Sequence, residues 1–263
     1  MWLVARYLPV APFSLKPAVA TSSGGKTLLV MTPYAIKMAL LDVAIRTLGL
    51  SAGEDLFPRL RDLSISLSPP QDILVFRSFT KIWRPVESKD SRKPDETPEA
   101  FEARVQEKLA DRMERGQYPF YSTISFREFV SYRAPFQLAF ASPDGADLPP
   151  ELSRLLCGIN YFGKRGGFVQ IMDLPRLVEQ RDDQEFVDLT PSSLQAFSRD
   201  GTLQILDDCG KSLTFARANI YRADRITPGK ERIHHHVVLP YWLARSSRGY
   251  SWYQRIKVTS EEA

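Results

Sequence analysis

With 263 residues, 43% of them hydrophobic and 25% charged, the chain is long enough for one elaborated domain or two small ones and has an ordinary globular composition. Its net charge of +4 is a mild basic bias, compatible with a nucleic-acid partner and far short of a histone-like composition. Two isolated cysteines, Cys157 and Cys209, argue against a disulfide framework or a zinc site; no apolar run reaches membrane-span length, and the N-terminal run, interrupted by Arg6, does not read as a signal peptide, so the expected location is cytoplasmic.

Residues 2–10 (WLVARYLPV) read as a buried first strand, 14–27 as a loop, and 28–31 (LLVM) are too short to classify. Thr32 followed by Pro33 is a helix start, a hydroxyl cap with proline at the first helical position. Ile36, Ala39, Leu40, Val43, Ala44 and Leu48 continue it at helical spacing, and Gly49 sits where a C-terminal cap belongs. Residues 62–68 alternate with period two and predict a strand, the prolines at 69–70 a turn, and 72–83 a further strand. From 87 to 115, 16 of 29 residues are charged with mixed sign. There Thr97-Pro98 opens a helix whose only apolar stripe is Phe101, Val105 and Leu109, so 83–121 reads as a solvated insertion carrying one helix. Residues 122–141 form one strand, or two bent at Pro135. A helix from Glu151 through Leu152, Leu155, Leu156 and Ile159 follows, then a strand at 168–174.

Without the insertion, the order is βαββαβ, so the expected class is α+β with a ferredoxin-like, RNA-recognition-like domain over 1–178. Residues 179–263 carry short strands (TLQIL, SLTFARANIY, RIHHHVVLPYWLA, YSWYQRIKV) and predict a smaller β-rich C-terminal lobe.

Chemistry-bearing motifs are few. YFGKRGGFVQI at 161–171 sets Lys164 and Arg165 among Gly163, Gly166 and Gly167, either a loop on which a polyanion lies against backbone or only a turn. SSGGKT at 22–27 resembles the end of a phosphate-binding nucleotide loop, but position 20 is Ala where that motif needs glycine. A basic loop is the better reading, with Lys16 and Lys26 as phosphate contacts or plain surface residues. Arg127, Tyr132 and Arg133 lie among Phe126, Phe129 and Phe136: phosphate-pairing and base-stacking groups, or core aromatics of a strand pair. Of the three histidines, His234 and His236 would share one strand face and His235 the other. No nucleophile elbow or paired-carboxylate pattern is present, and no motif calls for a cofactor or a metal.

Three stretches resemble a known family. TPYAIKMALLDVAI at 32–45 is similar to a Thr-Pro-opened first helix, SFREFVSYRAPFQLAFA at 125–141 to the strand after a thumb, and YFGKRGGFVQI to a glycine-rich stretch, all of the Cas-five family of the RAMP superfamily. The resemblance implies a subunit of a type I CRISPR Cascade surveillance complex. Such a subunit caps the 5′ handle of the guide RNA, docks to backbone and large subunits, and meets target DNA only through the complex. The segment 83–121 would be its thumb. The resemblance implies no catalysis in most members, although one branch cleaves precursor guide RNA. A metal-independent endoribonuclease and an RNA-recognition module outside CRISPR stand as the alternatives.

Overall fold

A computed structural model describes residues 1–17, 25–85, 91–116, 120–191, 200–219 and 225–256. The chain divides into two compact units, Met1–Arg77 with Glu128–Ala263, and Ser78–Arg127.

The first unit is built on a central antiparallel sheet. Strand β1 (Trp2–Pro9) leads to helix α1 (Pro33–Leu48), whose cap is the predicted one: Thr32 Oγ1 accepts from the Ala35 N–H at 3.2 Å. Gly49, at φ +95°, donates its N–H to the Ile45 carbonyl and turns the chain directly into a second helix, α2 (Leu50–Arg61). The sequence reading stopped at Gly49. Gly53, Leu56, Phe57 and Leu60 do recur at helical spacing and are buried, but Pro58 inside the run masks the pattern. Strand β2 (Ser64–Ser68) follows. After β3 (Asp72–Pro85), helix α3 (Pro98–Glu114) and β4 (Phe120–Tyr132), the chain returns through β5 (Phe136–Ala141), α4 (Leu152–Cys157) and β6 (Val169–Ile171). So 122–141 is two strands, broken before Pro135.

The sheet order is β6-β1-β5-β2, each neighbouring pair antiparallel; counting only the ferredoxin strands, this is 4-1-3-2. The fold is therefore ferredoxin-like. The centre of its core is aromatic. Tyr7 is fully buried between Phe136 (ring centroids 5.8 Å apart) and Phe162 (5.4 Å, edge-on), and donates its hydroxyl to the Leu156 carbonyl at 2.8 Å. That carbonyl lies in the last turn of α4 and also accepts from the Ile159 N–H at 3.3 Å, so the hydroxyl adds a second donor to it.

The described strands that follow residue 178 belong to the same compact unit as the ferredoxin strands. Strand β7 (Arg176–Val178) pairs with β1, and β8 (Val187–Asp188) extends the central sheet beyond β2. The hairpin of β9 (Thr202–Cys209) and β10 (Arg232–Leu239) packs on α1, so Leu206, Val237 and Leu239 share one core with Ile36 and Leu40. Strands β11 (Tyr241–Ser246) and β12 (Tyr250–Arg255) add to β3 and β4 in the order β11-β12-β3-β4. Within the stretch SLTFARANIY, read as a strand, Phe215–Ala218 is instead a helical turn, α5. Thr214 Oγ1 accepts from the Arg217 N–H at its start, and Phe215 packs edge-on against Phe57 of α2; the last two residues of the stretch lie outside the described ones.

The second unit, 78–127, holds α3 and the adjoining ends of β3 and β4. None of the helix is buried. What fixes its first turns is local: Thr97 caps the Ala100 N–H, and Arg104 pairs with Glu96 at 2.7 Å while lying over the Phe101 ring. The same paired guanidinium and the Lys93 N–H hold the Glu96 carboxyl near a pKa of about 2. Apolar side chains on this unit, Phe79, Trp83 and Ile124 among them, are exposed.

Candidate nucleic-acid interface

The loop after α4 is built by its glycines. Val169 donates to the Asn160 carbonyl at 2.9 Å, Tyr161 bridges to Phe168, and Gly167 donates back to the Lys164 carbonyl at 3.3 Å, so residues 161–168 close as a tight turn. Gly163 adopts φ +72°, a conformation that disfavours any side chain, and a Cβ there would fall 2.3 Å from Leu15 Cδ2. At Gly167 a Cβ would meet Phe13 at 2.8 Å. The turn is thus seated on the Phe13–Leu15 segment, with Phe162 driven into the core beneath it. Lys164 and Arg165 stand at its tip, exposed, and neither side chain has a hydrogen-bond or ion-pair partner among the described residues.

The same segment leads to the other predicted cations. The Leu28 N–H donates to the Leu15 carbonyl at 2.8 Å, and Thr27 Oγ1 accepts from the Leu15 N–H at 3.0 Å, which pins the two legs of the N-terminal loop together. The clamp continues into β4: the Thr27 N–H donates to Glu128 Oε2 at 3.2 Å, and the Glu128 N–H donates to the Gly25 carbonyl. Glu128 is 7% exposed, and its other oxygen faces Arg77 at 3.4 Å. Lys16 and Lys26 stand just beyond this clamp, one on each leg, both exposed. The geometry therefore brings Lys16, Lys26, Lys164 and Arg165 onto two loops that touch. Residues 22–24 of the SSGGKT stretch lie outside the described residues.

The aromatic-basic strand resolves differently. Tyr132 is 5% exposed, donates its hydroxyl to the Leu29 carbonyl at 2.6 Å and packs edge-on against Phe13 and Phe136, so its ring is core and offers no free face to a base. Arg133, one residue on, points to the opposite side of β4 and is exposed. Arg127 is exposed within the second unit. Glu128 escaped the sequence reading, yet it had a signal: it shares the inward parity of Val130 and Tyr132, and a carboxylate there needs partners.

His234 and His236 are exposed on β10, and His235 faces the other way with Nε2 3.3 Å from Asp208 Oδ2. Asp208 Oδ1 lies 2.7 Å from Lys37 Nζ, with both side chains buried. Burial raises the neighbouring Cys209 thiol to about 12 despite the opposing pull of Lys37, so the thiol is neutral and unreactive at ordinary pH. Among the described residues no three His, Cys, Asp or Glu side chains gather as a metal site, and no helix is long and apolar enough to cross a membrane.

No family model matches the sequence, and no curated protein matches it. Among solved structures the chain is similar to a CRISPR protein from Archaeoglobus fulgidus, at 10% identity and a TM-score of 0.44, over 97% of this chain and 91% of that one. It is also similar to a chain of a CRISPR RNA-guided surveillance complex, at 12% identity and a TM-score of 0.41, with the same coverage. The fold assignment rests on the strand order, not on these likenesses.

Proposed function

We propose that this chain is the RNA-binding subunit of a type I CRISPR Cascade complex that caps the 5′ handle of the guide RNA and docks to backbone and large subunits. One observation carries the reading: four exposed cations on two touching loops of a ferredoxin-like domain, Lys164 and Arg165 on the glycine turn and Lys16 and Lys26 on the clamped N-terminal loop. The nearest carboxylate of the clamp, Glu128, is buried and spent on Thr27 and Arg77, so the loops present uncompensated positive charge. Arg165 can bond a phosphate through two parallel N–H groups, whereas the three lysines act as point charges. Gly163 and Gly167 seat the turn on Leu15 and Phe13, while Gly166, where a Cβ would stand in open space, leaves the outer side of the turn bare for a phosphate backbone to approach its peptide groups.

The test is a salt titration of affinity for repeat-derived handle RNA. Each lost phosphate contact on a single strand lowers the slope of log K against log salt by about 0.7, so Lys164→Ala with Arg165→Ala should flatten it by about 1.4 and weaken binding most at low salt. Unchanged affinity and slope would reduce the loop to a turn between helix and strand. Incubating the wild-type protein with precursor RNA in EDTA separates the subunit from an endoribonuclease: binding without cleavage supports the subunit, and cleavage that the His234→Asn, His235→Asn, His236→Asn variant loses supports the enzyme.

A further inference from the structure

The second sheet has one face in the core and one that is not. Its inner face carries Ile73 and Val75 of β3, Val130 and Tyr132 of β4, and Ser251 of β12, all buried. The alternate positions point the other way. There Tyr250 pairs with Phe76, Trp252 with Leu74, and Arg245 of β11 with Trp252, while Phe76 stacks on Phe129 of β4 at 5.6 Å. An open cavity of about 240 Å³ lies on this face, lined by Asp72, Leu74, Ser131, Arg133, Tyr250 and Trp252. It is smaller than the roughly 300 Å³ at which drug-sized sites begin, so it suits one small flat group.

We propose that this face is a second RNA contact, a stacking platform for unpaired nucleotides, distinct from the glycine turn. Charge and shape choose the occupant. Arg133 and Arg245 are exposed and have no acidic partner among the described residues. The cavity's one carboxylate, Asp72, is already engaged: it accepts from the Trp252 indole N–H at 2.9 Å and from the Gln254 amide at 3.3 Å. Those bonds hold the indole plane in place, so an aromatic wall stands ready between two cations. A ligand that is flat, apolar on its faces and anionic at its edges answers both features, and a nucleotide with its base splayed out is such a ligand. A protein segment would be expected to bring carboxylates for the two arginines but would leave the aromatic wall without a planar partner.

The proposal shares with the function above the premise that the chain holds RNA, and it names a separate contact. The probe is repeat-derived RNA carrying 4-thiouridine at single positions outside the handle, photo-cross-linked to the full chain and mapped by peptide mass spectrometry. Cross-links are expected on the peptides carrying Trp252 or Tyr250. Trp252→Leu should weaken binding about 5- to 150-fold with the salt slope unchanged, the loss of one stacked base. Arg133→Gln with Arg245→Gln, both exposed and so safe for folding, should lower the slope by about 1.4. If wild type binds RNA and loses it only in the glycine-turn variant, with no cross-link at β12 and both platform variants normal, the platform is refuted and the handle reading stands. If wild type binds no RNA, both fall. Self-association that Arg133→Gln, Arg245→Gln abolishes, without an RNA cross-link, overturns the platform in favour of a protein occupant.

Discussion

Replacing Lys37 by Met tests how the C-terminal hairpin is joined to the ferredoxin core. Lys37 on α1 and Asp208 on β9 are 3% and 5% exposed, with Nζ and Oδ1 2.7 Å apart. At an effective dielectric of about 20 their attraction is of order 6 kcal/mol, most of it offset by the cost of taking two ions out of water. Removing the lysine forfeits the attraction and leaves Asp208 buried, with the Cys209 N–H and His235 as its remaining partners among the described residues. The loss should be about 3–5 kcal/mol, the range for breaking a buried pair. With a urea slope of about 3 kcal/mol/M, the unfolding midpoint should fall by roughly 1 to 1.7 M. Adding Asp208→Asn removes the stranded charge, keeps an acceptor for the Cys209 N–H, and should recover most of the loss. The assay is urea unfolding followed by circular dichroism on wild type, both single variants and the double. A loss below about 1 kcal/mol in Lys37→Met at unchanged slope, or a double variant no better than the single, would refute the view that a paired buried charge ties α1 to this hairpin.

Three further outcomes are expected. Deleting residues 87–115 with a short linker should leave a folded chain with a thermal midpoint within a few degrees of wild type, because no residue of α3 is buried; loss of soluble folding would show that the segment is core. Gly163→Ala should cost about 2–4 kcal/mol, combining a left-handed alanine at φ +72° with the displacement of Leu15, and thermal unfolding that shows less than 0.5 kcal/mol would contradict the seating of the turn. The Arg217 guanidinium and the Thr227 N–H hold the Glu231 carboxyl at about 2 against an ordinary 4.5. Its contribution is therefore complete above about pH 4.5 and lost as pH falls through about 2, so Glu231→Gln should flatten the acid side of the stability curve across that window; identical curves would sink the assignment.

Much of the fold was written in local pattern. Thr32-Pro33 and Gly49 bound α1 because a cap and a proline act within one turn, and the mixed charge of 87–115 foretold a helix with nothing to bury. The βαββαβ order was legible for the same reason: strand and helix periodicities are properties of short windows. Partnership was not. That β7, β8, β11 and β12 extend the two sheets and the β9–β10 pair packs on α1 depends on pairings such as Trp252 with Leu74 and Lys37 with Asp208, across more than 150 residues of chain, which no window contains. Tyr132 and Arg133 make the point at the site itself. The sequence leaves this stretch open between contact residues and the core aromatics of a strand pair. Only the tertiary structure sends Tyr132 into the core against Phe13 and leaves Arg133 to solvent, because which side of β4 faces inward is decided by the sheet it joins and the core behind it.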